Sequence, residues 1–129
     1  MTNSRRKGHS FERATAISLR EIWPEARRGL QYQDGAECPD VVGTPYWVEC
    51  KTGKRTNIKA AVRQATDASK GSKPIIVVSK DDRQPILVTM MWETFHALHK
   101  RRVQVSDEEG NRPEPVQEDV SKREEDIRK

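Results

Sequence analysis

Cys38-Pro39-Asp40-Val41-Val42-Gly43-Thr44-Pro45-Tyr46-Trp47-Val48-Glu49-Cys50-Lys51 reads as two strands joined by a turn. Val41-Val42 and Tyr46-Trp47-Val48 are strand formers, and Gly43-Thr44-Pro45 supplies turn chemistry between them. Side chains on a strand alternate faces, so Glu49 and Lys51 project together while Val48 and Cys50 turn the other way, into a core. If the strand of Asp40 pairs with that of Glu49 through this turn, two carboxylates converge beside a lysine. Two oxygen ligands are what a hard Mg²⁺ requires. An Asp followed roughly ten residues later by Glu-x-Lys also arises by chance in charged sequences. Its setting raises it here, because charged residues sit inside runs that otherwise seek burial.

Upstream, Phe11, Ala14, Leu19 and Ile22 fall on one helical stripe between Gly8 and Trp23, bounded by Pro24. On that wheel Glu12 lies at the stripe's edge beside Leu19, at the core boundary or as a plain surface acid. Arg27 to Gln33 reads as a weak strand, closed by the Asp34-Gly35 turn signal. Downstream, Thr52-Gly53-Lys54-Arg55 breaks the strand pattern. Thr56 or Asn57 then caps a helix through Ile58, Ala61, Val62, Ala65 and Ala68 that ends near Gly71. Lys73-Pro74-Ile75-Ile76-Val77-Val78-Ser79 is a continuous apolar run of strand length, which predicts a strand near the sheet's centre, covered on both faces. After the Asp81–Pro85 turn come a strand over Ile86–Met90 and a last helix carrying Met91, Trp92, Phe95 and Leu98. The order is α-β-β-β-α-β-β-α, an α/β fold with a mixed central sheet flanked by helices.

A chain of 129 residues is one small domain with a core that needs neither disulfides nor structural metal. Charged residues make up 34% and apolar ones 33%, a balance that excludes a membrane protein. No apolar run follows Arg5-Arg6-Lys7, so the N-terminus is not a secretory signal and the expected location is the cytoplasm, a host's if a phage carries the gene. Cys38 and Cys50 form no CxxC pair and read as free, partly buried thiols. Residues 1–103 hold 19 Lys/Arg against 11 Asp/Glu, net +8, whereas residues 104–129 hold 5 against 9, net −4. A basic body suits a polyanion through counterion release, and equally serves solubility. The expected organisation is a folded domain over 1–103 and an acidic, mobile tail over 104–129.

Four stretches together give a resemblance: Arg6-Lys7-Gly8-His9-Ser10-Phe11-Glu12-Arg13 on the first helix, Pro39-Asp40-Val41-Val42, Glu49-Cys50-Lys51, and Gln64 on the following helix. In order, spacing and element sequence they resemble the PD-(D/E)xK nuclease superfamily and, within it, the archaeal-type Holliday-junction resolvases, phage-carried versions included. The likeness runs from about Arg6 to Leu98. It implies a restriction-endonuclease-like core, with Asp40 and Glu49 as ligands of Mg²⁺, Mn²⁺ able to replace it, the Cys50 carbonyl as a further ligand, and Glu12 joining directly or through water. Lys51 would orient the hydroxide nucleophile. Gln64 would hold Lys51 or a phosphate, or else is a solvated helix residue.

The resemblance further implies a homodimer that nicks opposing strands of a four-way DNA junction. The basic groups nearest the motifs, Arg5, Arg6, Lys7, Arg13, Arg27, Arg28, Lys54, Arg55 and Lys59, are the candidate DNA contacts. Without interleaved aromatics they favour duplex backbone over base stacking. His96 and His99 read as helix-surface residues. One departure stands out: the resolvases carry a serine in the glycine-rich loop before Pro-Asp, and Gly29–Ala36 has none. Either Gln33 or Asp34 substitutes for it, or the substrate differs. Two other readings share the same residues: a general nuclease of phage or repair pathways acting on flaps, ends or duplex, and a DNA-binding or packaging accessory protein with a degenerate nuclease fold.

Overall fold

A computed structural model describes residues 2–30 and 37–110, with side chains over 5–30 and 37–103. Its elements are α1 (Thr2–Leu19), β1 (Arg27–Arg28), β2 (Val41–Val42), β3 (Trp47–Gly53), α2 (Ile58–Ser69), β4 (Ile75–Asp81), β5 (Leu87–Met90) and α3 (Trp92–Gly110). The order is the expected α-β-β-β-α-β-β-α. The five strands form one mixed sheet in the order β1-β2-β3-β4-β5. Only β3 and β4 are parallel, in register from Trp47↔Ile75 to Gly53↔Asp81. The remaining neighbours are antiparallel. A parallel pair needs a crossover, which α2 provides.

The strand period of two divides the core between the helices. Val48, Cys50, Ile76 and Val78 face α1 and pack with Val41, Ala26, Ala16, Phe11 and Leu19. Trp47, Ile75 and Val77 face α2 and pack with Ala61, Ala65, Val62 and Ala68. β4 is buried from Ile75 to Ser79, as its unbroken apolar run predicts. Asn57 is the N-cap of α2, its side chain accepting a hydrogen bond from the Ala60 N–H at 3.0 Å. Lys70, in the left-handed conformation, closes the other end.

The strands next to the cleft depend on close backbone approach. Gly43 has φ +85°, and a Cβ there would collide with the Glu25 carbonyl. At Gly29 a Cβ would collide with the Pro39 carbonyl, where the Gly29 N–H donates to the Asp40 carbonyl at 2.8 Å. A side chain at either position would push β1 off β2.

Several boundaries differ from the sequence reading. The first helix begins at Thr2 and stops at Leu19, so Ile22 lies in the turn leading to Pro24 and is exposed rather than on the apolar stripe. Ala14 is exposed too, and the inward face is made by Phe11, Glu12, Thr15, Ala16 and Leu19. Glu12 therefore lies further in than the stripe's edge. The weak strand from Arg27 ends at Arg28 within the described residues, and residues 31–36, with Gln33 and Asp34, lie outside them. β3 continues through Thr52 and Gly53 because β4 pairs with it throughout.

The last helix runs to Gly110, so residues 104–110 of the expected tail are helical and 111–129 lie outside the described residues. The chain divides into one unit through Phe95 and a second from His96 onward, within α3. The described part of the second unit is the remainder of that helix. His96 and His99 are exposed on it, as expected. Among the described residues both cysteines are free thiols, Cys50 buried and Cys38 half-buried, and no helix is long and apolar enough to cross a membrane.

Candidate active site

Asp40 sits one residue before β2 and is bound into the sheet by its main chain and its carboxylate alike. Its N–H donates to the Val48 carbonyl at 2.8 Å. Its Oδ2 accepts the Cys50 N–H at 2.8 Å. The N–H and C=O of one strand residue point to the same side, so the Cys50 carbonyl also faces the Asp40 side of β3. Glu49, one residue earlier, projects to the opposite face from the Cys50 thiol and lines a cleft of about 60 Å³ with Asp40, Trp47 and Gln64. The β2–β3 pairing and the Glu49/Lys51 face expected from the sequence are both present.

Lys51 Nζ is 3.6 Å from Glu49 Oε2 and donates to Gln64 Oε1 at 3.2 Å. Gln64, on the α2 turn facing β3, is thus the residue that holds Lys51. Glu49 is buried, and its carboxyl is pushed up to about 7, first by burial and then by the charge of Asp40; Lys51 opposes this. Burial and Asp40 also push the Cys50 thiol well above its usual range, so that it stays protonated and packs as a small apolar group.

Glu12 is drawn toward the same region, and its charge contributes to raising Glu49. Its carboxylate is nevertheless engaged elsewhere: Arg28 Nε donates to Glu12 Oε1 at 3.0 Å. Among the described residues no three His, Cys, Asp or Glu side chains are gathered closely enough to hold a metal. This corrects the ligand set of Asp40, Glu49, Cys50 and Glu12 implied by the resemblance, in that Glu12 is not a direct ligand beside the other two carboxylates. The reason is its pairing with Arg28, which neutralises it within a part-buried setting. The Cys50 side chain is likewise no ligand; its carbonyl alone lies on the right side.

What remains fits a hard cation. Mg²⁺ takes one or two carboxylates and keeps several waters or substrate oxygens, and two buried carboxylates that repel each other are relieved by a positive charge between them. The cleft also holds an unsatisfied donor: Trp47 Nε1 is buried without a hydrogen-bond partner among the described residues. An unpaired buried N–H costs about 1–3 kcal/mol.

The nine basic candidates divide differently. Arg28 faces inward to Glu12. Lys7 pairs with Asp82 at 2.8 Å on the surface. Arg5, Arg6, Arg13, Arg27, Lys54, Arg55 and Lys59 are exposed, and none of the nine lines the cleft. The sequence reading missed Glu37, which lines the cleft beside Asp40 and Glu49. Its position three residues before Asp40 was the available signal, but a lone surface acid in a loop has no period to mark it. Trp47 was read only as a strand former. No protein-family description, curated protein or solved structure matches this chain.

Proposed function

We propose that the protein is a metal-dependent endodeoxyribonuclease that cuts branched DNA, four-way junctions first among them. The observation that carries this reading is the convergence of Asp40 and Glu49 on one cleft, with Lys51 3.6 Å from Glu49 and steadied by Gln64 at 3.2 Å. Carboxylate pairs in structural roles are ordinarily paired by arginine or left in water; here the raised Glu49 carboxyl marks an interior in need of a cation.

A bound Mg²⁺ would polarise the scissile phosphate and supply hydroxide near neutral pH. The chain's own groups do the rest. Asp40, fixed by the Cys50 N–H, and Glu49 hold the divalent ion, with the Cys50 carbonyl on the same side. Lys51 orients the attacking oxygen and offsets the negative charge that grows on the phosphate in the transition state. Gln64 keeps the Lys51 ammonium from swinging into solvent. Glu12 and Arg28 form a neutral pair behind the cleft, through which Glu12 tunes the field at Glu49. The exposed arginines and lysines of the basic body attract DNA by its backbone.

The experiment is cleavage of a labelled immobile four-way junction in Mg²⁺, with wild type, Asp40→Asn and Lys51→Ala at a stated ionic strength, since phosphate contacts weaken steeply with salt. Paired nicks on the junction, absent from both variants, support the proposal. Equal digestion of linear duplex replaces it with a general nuclease. Tight junction binding without cleavage replaces it with a DNA-binding accessory protein.

A further inference from the structure

β5 is the last strand of the sheet, paired on one side with β4 and on the other with nothing among the described residues. Edge strands are usually blunted by charges, proline or a covering element. From Gln84 to Trp92 there is no charged residue, and β5 itself, Leu87-Val88-Thr89-Met90, contains neither lysine nor proline. Ile86, Leu87, Val88, Met91, Trp92 and Phe95 are all exposed large apolar residues within ten positions. Together they present roughly 700 Å² of apolar surface, more than the largest patch expected on a monomer and close to one partner's share of a standard interface, ~800 Å². On the α1 face the patch continues into an apolar groove of about 370 Å³ between Phe11 and Leu19 of α1, Ile76 and Val78 of β4, and Ile86 and Val88.

We infer that a second copy of this chain docks here, β5 against β5 in antiparallel register about a twofold axis through Val88. Three properties of the strand favour its own copy as occupant. Directly opposed residues of an antiparallel pair lie on the same face, so a strand pairing with itself must centre on a residue rather than between two. Centring on Val88 sets Val88 against its twin, Ile86 against Met90 and Leu87 against Thr89, and keeps every apolar side chain on its own face.

No like charges meet along that register, because β5 has none. At its two ends the same register brings Arg83 of one copy toward Glu93 of the other, an opposite-charge pair formed twice by symmetry. The result is a continuous ten-stranded sheet. The clefts then open on one face of it, roughly 24 Å apart at five strand spacings of ~4.8 Å, a separation that serves the nuclease reading without depending on it.

Sedimentation velocity of the full chain up to about 50 µM tests the inference. Wild type sediments at twice the 14.8 kDa chain mass. Val88→Lys places two ammonium groups on the axis and weakens the dimer by about a hundredfold or more, with far-UV circular dichroism unchanged. Arg83→Glu alone weakens it by roughly tenfold, and Arg83→Glu with Glu93→Arg returns it to within about threefold of wild type. Both of these sites are exposed, so the charge swap carries the test if Val88→Lys unfolds. A monomeric wild type at about 50 µM, a dimer indifferent to Val88→Lys, or a swap that does not restore association overturns it. Junction cleavage is measured separately, so loss of activity in a dimeric variant counts against the site reading and not against this interface.

Discussion

At β2–β3, Asp40 and Glu49 are carboxylic acids with 6% and 8% of their surface exposed; at β5, Leu87 and Val88 are aliphatic residues with 57% and 59% exposed. The same sheet thus carries charge in its interior at one place and hydrocarbon in water at another, both against the usual partition. Neither is explained by the stability of the isolated chain. Burying two like charges raises the free energy of the folded state, and an exposed apolar edge contributes nothing to a monomer's core. The difference lies in what would relieve each: a cation and phosphate oxygens at the first, more polypeptide at the second. The middle of the sheet, β4, obeys the ordinary rule and forms the core of the fold.

The strongest way to break this comparison is at the cleft. Asp40→Asn and Lys51→Ala should each lower single-turnover cleavage by about a thousandfold with the fold intact, since each removes a group that acts on the charge of the transition state. A loss below about tenfold in either would mean that the buried charge is structural.

Glu49→Gln comes next, read by urea unfolding rather than activity. The Glu49 carboxyl rises from 4.5 in the unfolded chain to about 7 in the folded protein. Below pH 4.5 both states are protonated and the group has no effect. As pH rises through the 4.5–7 window the unfolded chain ionises first, so stability falls, and above 7 the full loss is present. Glu49→Gln should therefore be more stable than wild type by on the order of 2 kcal/mol at pH 8 without metal, and equal to it at pH 4. Mg²⁺ at pH 8 should narrow the gap by stabilising wild type alone.

Gln64→Ala should lower cleavage by roughly three- to tenfold while leaving the Mg²⁺-dependent stabilisation unchanged, because it releases Lys51 and not a ligand. The smallest effect belongs to the edge. Leu87→Thr should alter monomer stability by less than about 0.5 kcal/mol, measured at sub-micromolar chain, where a core residue of the same size would cost several times more.

How far the sequence carried this can be traced residue by residue. Val41, Val48 and the Ile75–Val78 run announce themselves by periodicity, and Glu49 and Lys51 follow from the strand's period of two. The Asp40–Glu49 approach was legible because a short turn leaves adjacent strands no other partner. Glu12 was harder: its depth depends on where α1 ends, and the apolar Ile22 suggested a longer helix than forms. Its capture by Arg28 is a contact between elements sixteen residues apart, which no local pattern records. The helical continuation of α3 through Gly110 went unseen because a charged, apolar-poor segment reads equally as helix or coil.

Asp40 and Cys50 are joined across a hairpin by a hydrogen bond between residues ten apart, and Lys51 meets Gln64 across the next connection, thirteen apart. Closing such short loops takes little entropy and little time. The cleft can therefore assemble from one contiguous stretch of chain, early and locally, before α1 docks. It also belongs to the part of the sheet whose amides should exchange last with solvent, while β5, with one open edge, should exchange first. The chemistry of this protein would then survive the fluctuations that continually expose its edge.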